Sequence, residues 1–420
     1  MLSGGDSRGI DLRFAGPWTN FGKLWTASTV SFLGDGVTLA AGPLLAASVT
    51  RDPVLVAGVA VAQQLPWLLF SLPGGALVDR LDRRRVMWVS DVIRCATVGS
   101  LGLAVLLDFA SLPILYAAFF VLGAATVPFS AASTSILTSV VTGEGLAWAN
   151  GRLFGAQVVA GQMAGPPLGG FLFAFSASLP FLLDAGSYAA AAAMVLAMGG
   201  SFRAPRPRGN PRTTLGAEIS EGFAWLWGHG LLRTLAMALG VMNLTSSATT
   251  AILVLFAAER LGLGPVGYGV LLSCLAVGGV LGALFAGRVA GRLGAGTTMR
   301  TGLLIEASTS AVIALWQDAY VVGTMLALFG FHALAWNVVT ISLRQELVPG
   351  GLLGRVNSSY RLLGMGGAAA GALLGGLLAK GFGLAAPFWF AAASVAVMTV
   401  LAWRTIGDGA VTAARQNAGT

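Results

Sequence analysis

The chain has little charge and very few histidines and cysteines. Only 10% of its 420 residues are charged and 56% are hydrophobic, so polar side chains cannot cover a water-soluble protein of this length. Cys95 and Cys274 each stand alone among apolar neighbours, and two histidines leave little room for metal chemistry. The sequence has no Gly-x-x-x-x-Gly-Lys-Ser/Thr loop and no Ser/His/Asp set. We therefore expect a membrane protein that is not an enzyme, has no cofactor or metal, and does not use ATP.

Long apolar segments make up most of the chain. A helix that crosses a bilayer needs about 20 largely apolar residues, and the sequence predicts twelve such spans, six in each half: 24–49, 54–77, 86–107, 112–137, 152–173, 179–198, 231–257, 266–286, 299–315, 320–343, 360–379 and 385–403. The polar, proline-rich stretch 201–212 separates the halves, and an amphipathic helix is expected at 215–227. The predicted fold is all-α and integral to the membrane, with six-helix bundles at 1–198 and 231–420 and a linker at 199–230.

The basic residues are distributed unevenly between the two predicted sides. If the N-terminus is cytoplasmic, 21 of the 25 Lys and Arg lie on that side, three (Arg51, Arg260 and Lys380) lie opposite, and Arg94 lies within a span. This asymmetry follows the positive-inside rule and predicts that both termini are cytoplasmic. The net charge of +8 then reports membrane topology, and a nucleic-acid partner is not expected. The first 22 residues lack a short apolar core, so we also expect no removable signal peptide.

Four glycines of span five recur in span eleven. The positions Gly161, Gly165, Gly169 and Gly170 correspond to Gly367, Gly371, Gly375 and Gly376, which lie 206 residues later. Small residues at this spacing form a groove in which a neighbouring transmembrane helix approaches closely. The sequence therefore predicts a duplicated membrane protein whose halves share this packing. Pro166 should kink span five, whereas its repeat mate is Ala372.

The loop between spans two and three carries a family pattern. It reads Gly74-Gly75-Ala-Leu-Val-Asp79-Arg80-Leu-Asp82-Arg83-Arg84-Arg85 and resembles the signature loop of the major facilitator superfamily, although Asp82 replaces a usual glycine. The resemblance implies the major facilitator fold. It also implies that Gly75 and Asp79 belong to a gating motif in which the aspartate caps the start of span eleven. Arg80, Arg83 and Arg84 would join a charge network that locks the outward-open state; the alternative is that these arginines only enforce topology.

Span five also resembles a superfamily motif. Gly161, Gly165, Pro166, Gly169 and Gly170 match the antiporter motif G-x-x-x-G-P-x-x-G-G at every specified position. The resemblance implies export in exchange for protons, and the alternative is close helix packing with no bearing on transport direction. The chain is most similar to the branch that includes the enterobactin exporter and the macrolide and tetracycline efflux proteins of bacteria. It departs from many drug antiporters in having no arginine in span four.

A few ionisable residues lie inside predicted spans, where charge is costly and function is the first hypothesis. Asp35 lies near the middle of span one and is the leading proton or cation site; the alternative is that it holds helix geometry by bonding to a neighbouring backbone group or to Arg94. Arg94 either forms a local pair with Asp91 or relays to Asp35. Glu306 and His332 are further coupling candidates. Glu306 and also Asp184 are expected nearer the membrane edges and in structural roles, whereas His332 either titrates near neutrality and contacts substrate with Trp336 or is a neutral, hydrogen-bonded core histidine.

Polar and aromatic residues of the spans predict a substrate cavity. Spans one, four, seven and ten are equivalent under a three-helix repeat, and superfamily architecture places them around the central cavity. The candidate lining residues are Ser28, Ser31, Asp35, Thr38, Trp67, Thr126, Ser130, Asn243, Ser247, Phe331, Trp336 and Asn337. Aromatic groups with few charges favour a bulky amphipathic solute over a sugar phosphate or a nucleotide.

These features together predict a multi-pass secondary transporter of the bacterial inner membrane. It would export a hydrophobic or amphipathic small molecule by proton antiport, with membrane lipid around it and as a monomer. Three alternatives stay open: an exporter dedicated to one natural product or siderophore, a lysophospholipid or lipid transporter, and a non-transporting receptor or scaffold.

Overall fold

The computed structural model describes residues 19–78, 81–141, 145–200, 202 and 215–418, and only the backbone at 72–77, 215–219 and 417–418. These residues form sixteen α-helices and one π-helical segment. The first half contains α1 (Asn20–Val49), α2 (Pro53–Val78), α3 (Arg83–Leu106), α4 (Leu112–Val140), α5 (Gly145–Ala156), the π-helical segment Gln157–Ala164, α6 (Gly165–Phe175) and α7 (Leu179–Leu196). The second half contains α8 (Leu215–Gly228), α9 (Gly230–Thr250), α10 (Leu253–Glu259), α11 (Pro265–Leu293), α12 (Ala295–Leu315), α13 (Ala319–Leu347), α14 (Leu353–Phe382), α15 (Ala386–Ala402) and α16 (Asp408–Ala418).

Each predicted span coincides with one helix or with consecutive helices. By length and composition, nine described helical segments could cross a membrane, or ten if the bent pair α9 and α10 is one span. Helices α12 and α15, which correspond to predicted spans nine and twelve, fall outside that set. The all-helical membrane fold is confirmed, whereas the full number of crossings, the domain boundaries and the sidedness of the termini stay predictions. The amphipathic helix expected after the linker is present as α8.

Side-chain caps fix where several helices begin. The Asp82 carboxylate accepts hydrogen bonds from the backbone N–H groups of Arg84, at 3.0 Å, and Arg85, at 3.3 Å, and so caps α3. This cap gives a physical reason for aspartate at a position where the superfamily loop usually has glycine. Asp318 caps α13 in the same way.

The hydrophobic core shows that the two halves meet at one end. We call the end where α1 begins the proximal end, and the end where α1 leads into α2 the distal end. One core cluster at the distal end contains residues of both halves, for example Phe119 of α4 with Phe256 of α10 and Phe388 of α15. Two further clusters lie toward the proximal end, and each contains residues of one half alone. The described halves therefore share one core distally, whereas proximally each half has a core of its own.

The repeated glycines make equivalent contacts in both halves. A Cβ added at Gly165 or Gly169 would overlap the α1 backbone at Gly36 or Val37, and one added at Gly170 would overlap Pro265 of the other half. In α14 the corresponding additions at Gly367, Gly371 and Gly375 would overlap the α9 backbone, whereas Gly376 lies against Pro53, Val54 and Ala57 of α2. The predicted close packing is confirmed. In each repeat three glycines contact a helix of the same half, and the fourth contacts a helix of the other half.

Span five changes helix type just before Pro166. The π-helical segment ends at Ala164, and the Gly165 N–H donates to the Ala160 carbonyl five residues earlier. Pro166 has no N–H to donate, so it is accommodated in the first turn of α6. The Met163 carbonyl accepts a hydrogen bond of 2.7 Å from the Ser273 hydroxyl of α11. A wider helical turn therefore lies directly before Pro166, and one of its carbonyls bonds the opposite half, whereas the kink itself stays a prediction.

Candidate transport cavity and buried ionisable groups

A cavity of about 500 Å³ lies in the N-terminal half. Its lining runs from Gly123, midway along α4, to Leu137 near the proximal end of that helix, and includes Phe154 near the proximal start of span five. Aromatic side chains Phe32, Trp67 and Phe129 line it together with polar groups. The space therefore suits a solute with apolar rings and a few polar atoms.

Asp35 lies on the wall of this cavity and is half-buried. Its carboxylate accepts a hydrogen bond from the Tyr188 hydroxyl of α7. The prediction had offered a backbone group or Arg94 as its structural partner. The phenol takes that place because α1 and α7 pack along their length.

Arg94 is buried beside this carboxylate and pairs locally with Asp91, one turn earlier on α3. Its guanidinium also stacks on Phe129 and Tyr188, at 3.9 and 4.5 Å from the ring centroids. The local pair is therefore confirmed. Tyr188, which contacts Arg94 by its ring and Asp35 by its hydroxyl, links the two groups that sequence analysis considered as a relay.

Asp184, which was expected nearer a membrane edge or in a structural role, is fully buried. Its two carboxylate oxygens accept hydrogen bonds from the Thr38 hydroxyl, at 2.5 Å, and the Ser187 hydroxyl, at 3.0 Å. Gly34 of α1 leaves the space that the carboxylate occupies. The helix turns this side chain inward onto α1, which linear distance from the span end could not show.

Some of the residues that were predicted to line a substrate cavity line this one. Asp35, Thr38, Trp67, Thr126 and Ser130 line it, and Arg94 does so as well. Ser28 and Ser31 are buried and do not line this cavity, and their predicted roles stay predictions. The polar face of α1 packs against α7, so the cavity meets the adjacent face, which carries Phe32, Gly36 and Leu39. Whether any lining residue contacts substrate stays a prediction.

The candidates of the C-terminal half lie apart from this cavity. Trp336 is 3% exposed within the core of that half and does not line this cavity, so its predicted role stays a prediction. Ser247 and Phe331 are half-buried, Asn337 is exposed, and Asn243 donates to the Leu239 carbonyl of its own helix. These four side chains do not line the cavity of the N-terminal half, and their predicted roles stay predictions.

Glu306 and His332 form a second buried ionisable site. The Glu306 Oε2 atom lies 3.1 Å from His332 Nε2, and Thr245 donates to Glu306 Oε1 at 3.2 Å. Both side chains are 1% exposed, so the pair is fully enclosed by protein. The three residues come from α12, α13 and α9, and their side chains meet in the interior of the C-terminal half.

The gating motif is described in part. Asp79 and Arg80 lie outside the described residues, and Gly75 belongs to α2. Arg83 donates to the Ser135 carbonyl and the Ser139 hydroxyl, each at 3.1 Å, and Arg84 donates to the Leu196 carbonyl. These bonds stay within the N-terminal half, as expected if the proximal ends are apart. The predicted charge network stays a prediction.

Tyr188 was not predicted as a site residue, and Asp184 was not among the predicted coupling residues. The signal was available, because the two residues are four apart on span six and so share a helix face. Gln63 and Gln162 of the cavity wall were missed as well. They are uncharged and stand among apolar residues of spans two and five, so composition gave them no prominence.

Known proteins resemble this chain along most of its length. The sequence profile of a family described as transmembrane secretion effector matches residues 17–409. The multidrug efflux pump Tap of Mycolicibacterium fortuitum is 27% identical over 372 residues, which cover 86% of this chain and 90% of that protein. The enterobactin exporter EntS of Salmonella choleraesuis is 27% identical over 318 residues, which cover 72% of each chain.

Solved structures share the fold at low sequence identity. The nucleoside transporter NupG superimposes with a TM-score of 0.72 at 12% identity and covers 92% of this chain and 98% of its own. A bacterial homologue of the iron transporter ferroportin, in an inward-facing state, gives a TM-score of 0.71 at 17% identity and covers 95% of this chain and 100% of its own. At these identities the likeness establishes the arrangement of helices alone.

Proposed function

The chain belongs to the transmembrane secretion effector family of the major facilitator superfamily and is a multi-pass transporter, not an enzyme; from this premise we propose that it exports a hydrophobic or amphipathic small molecule in exchange for protons. The observation that carries the proposal is the Asp35 carboxyl on the wall of an aromatic cavity within the membrane-spanning helices. The similarity to a multidrug efflux pump supports the same direction of transport.

The lining supports an amphipathic substrate. Trp67, Phe129 and Phe154 offer ring surfaces, and Gln63, Thr126 and Ser130 offer neutral hydrogen-bonding groups. The Arg94 guanidinium is already engaged by the Asp91 carboxylate and by two rings, so it offers little to an anionic solute. The Asp35 carboxylate is the charged lining group that suits a cationic or proton-bearing solute.

Asp35 is the proposed coupling residue. A carboxyl on a cavity wall can exchange its proton with water that enters the cavity, and a carboxylate there can attract an organic cation. Binding of a proton and of a cation at one carboxyl is mutually exclusive, and this competition is the basis of exchange.

The distribution of basic residues supports cytoplasmic termini, which would make the proximal end cytoplasmic and place the protein in a bacterial inner membrane. In the conformation described here, the two halves share one core at the distal end and have separate cores toward the proximal end. This conformation would then open toward the cytoplasm and be ready to load substrate. Asp79, Arg80, Arg83 and Arg84 would reach the C-terminal half when the proximal ends close. This is the proposed role of the gating motif.

Everted membrane vesicles test the proposal. Respiration acidifies their lumen, and addition of ethidium as an amphipathic cationic probe should release protons in vesicles with the wild-type protein. Asp35→Asn should reduce probe-dependent proton release by about tenfold or more, equivalent to about 1.4 kcal/mol. The matched control is Asp318→Asn, which changes an exposed acid that caps α13. Wild-type coupling by Asp35→Asn would contradict the assignment of the proton to this residue.

A second candidate function is export of a single natural product. The similarity to the enterobactin exporter EntS favours it, since that relative is named for one siderophore. A dedicated exporter would release protons with one compound class and ignore ethidium, rhodamine 6G and other unrelated amphipathic dyes. A panel of such dyes in the same vesicles separates the two candidates.

A further inference from the structure

Two hydrogen bonds join α1 and α7 in a reciprocal manner. Each helix supplies one carboxyl and one hydroxyl, and each hydroxyl bonds the carboxyl of the other helix. The Thr38 hydroxyl of α1 bonds Asp184 of α7, and the Tyr188 hydroxyl of α7 bonds Asp35 of α1. The two carboxyls therefore occupy one continuous polar contact, but only Asp35 lines the cavity.

The charges at this contact do not balance. Three carboxyls, those of Asp35, Asp91 and Asp184, lie near one guanidinium, that of Arg94. Arg94 is bonded to Asp91, and its Nε atom and the Asp91 Oδ2 atom have no hydrogen-bond partner among the described residues. The guanidinium therefore has a buried donor that is not used on Asp184.

Asp184 is the member of the group with the least support for a negative charge. It is 0% exposed, and the described bonds to its oxygens come from the hydroxyls of Thr38 and Ser187. The helices packed most extensively against α7 are α1 and α3, and none of their ionisable groups forms a described bond with Asp184: these groups are Lys23 and Asp35 of α1 and Arg83, Arg84, Arg85, Asp91, Arg94 and Cys95 of α3. A carboxylate buried without a contacting cation is strongly disfavoured, and protonation removes the cost.

We propose that Asp184 is a second proton-binding residue of this transporter, which holds its proton while the cavity is open at the proximal end. The neutral Asp184 leaves Asp35 free to ionise, because two adjacent negative charges are then avoided. Asp184 thereby sets the charge that Asp35 presents to the cavity. This inference deepens the proposed proton coupling and rests on it for its role in transport, but proton binding itself is measured without any substrate.

Infrared spectroscopy of the purified full-length protein at pH 7, in light and heavy water, tests the proposal. A protonated carboxyl gives a C=O stretching band that shifts in heavy water. Asp184→Asn should remove one such band, because the amide keeps the shape of the neutral acid but has no acidic proton. The matched control Asp91→Asn, which changes the carboxyl paired with Arg94, should remove none.

A second variant keeps the test decisive if Asp184→Asn does not fold. Thr38→Val removes the hydroxyl that bonds Asp184 and should shift the frequency of the band without abolishing it. An unchanged band in Asp184→Asn or in Thr38→Val would overturn the proposal. Loss of the Asp184 band in a protein that exports without proton exchange would instead refute the proposed function and leave the proton-binding residue in place.

Discussion

The two halves use the same glycine packing but bury their ionisable groups differently. In the N-terminal half, Asp35 lies on the wall of a cavity and is joined by hydroxyls to a buried acid. In the C-terminal half, Glu306 and His332 contact each other in the interior, and neither lines that cavity. The two halves thus share the glycine contacts that pack their helices, whereas an acid on the wall of this cavity is found in the N-terminal half.

The helices that carry the repeated glycines differ as well. The span-five helix contains a π-helical segment before Pro166, whereas α14 runs without interruption from Leu353 to Phe382. Both helices pack through the same glycine positions, so glycine packing alone does not account for a π-helical segment in only one of them. The following predictions test how far the two halves are equivalent.

The largest effect is expected from the shared glycines. Gly165→Ala and Gly371→Ala should each destabilise the protein by about 1–3 kcal/mol, the range for overpacking, because the added Cβ meets neighbouring backbone. Thermal unfolding in detergent, followed by size-exclusion chromatography, measures the loss. The controls Gly155→Ala and Gly366→Ala add a Cβ where nothing lies within 4 Å and should be close to wild type. A marked loss of stability from only one of the two substitutions would show that the two halves are not equivalent in their glycine packing.

The buried acids should respond in opposite ways. Glu306→Gln disrupts a buried contact with His332 and should lower stability by about 1–3 kcal/mol, while leaving proton coupling within about twofold of wild type. Asp35→Asn should instead reduce proton coupling and leave stability close to that of the wild type. Thermal unfolding and probe-dependent proton release, measured on the same two proteins, give the comparison. Loss of coupling in Glu306→Gln would move the proton site to the C-terminal half.

The proline of span five should affect coupling more than stability. Pro166→Ala restores an N–H donor and permits a regular α-helix, so we expect a proton leak raised about two- to fivefold, with a smaller change in unfolding temperature. Proton leak and ethidium efflux in the same vesicles measure this. A silent variant would favour packing as the whole role of the segment, since Ala372 is tolerated at the equivalent position of α14.

The smallest effect is expected from the ion pairs between the halves at the distal end. Lys380 lies 2.6 Å from Asp52, and Arg51 lies 3.8 Å from Glu259. The hydrogen bond from Lys380 lowers the pKa of Asp52 below its usual value, so the pair is complete above the ordinary aspartate range and is lost as the pH falls through the lowered value.

Asp52→Asn should therefore raise the distally open population by no more than about twofold, because exposed ion pairs contribute little. Spin-label distances across the distal end, measured by double electron–electron resonance at neutral pH, provide the test. Acidification should produce a similar change in the wild type and a smaller one in the variant, which keeps only the pair of Arg51 with Glu259. A change much larger than this would show that these pairs are a principal lock.

Much of the architecture could be predicted from the sequence because it depends on local composition. Long apolar segments gave the positions of the membrane helices, and the glycine spacing gave their close contacts. The pattern from Gly75 to Arg84 gave the superfamily. Inference was weaker for the cavity, because Ser28 and Asp35 lie on the same polar face by helical spacing but only Asp35 reaches the cavity wall.

The sequence by itself determined a duplicated helical transporter and a short list of intramembrane acids, since hydropathy, repeat spacing and charge asymmetry need no knowledge of neighbours. Only the tertiary structure decided which acid lies on the cavity wall, that Asp184 bonds α1, and that Glu306 meets His332. These outcomes depend on the rotation of each helix about its axis, and that rotation is set by packing with neighbouring helices. The environment of a buried carboxyl, and hence its charge, is therefore a property of the assembled bundle.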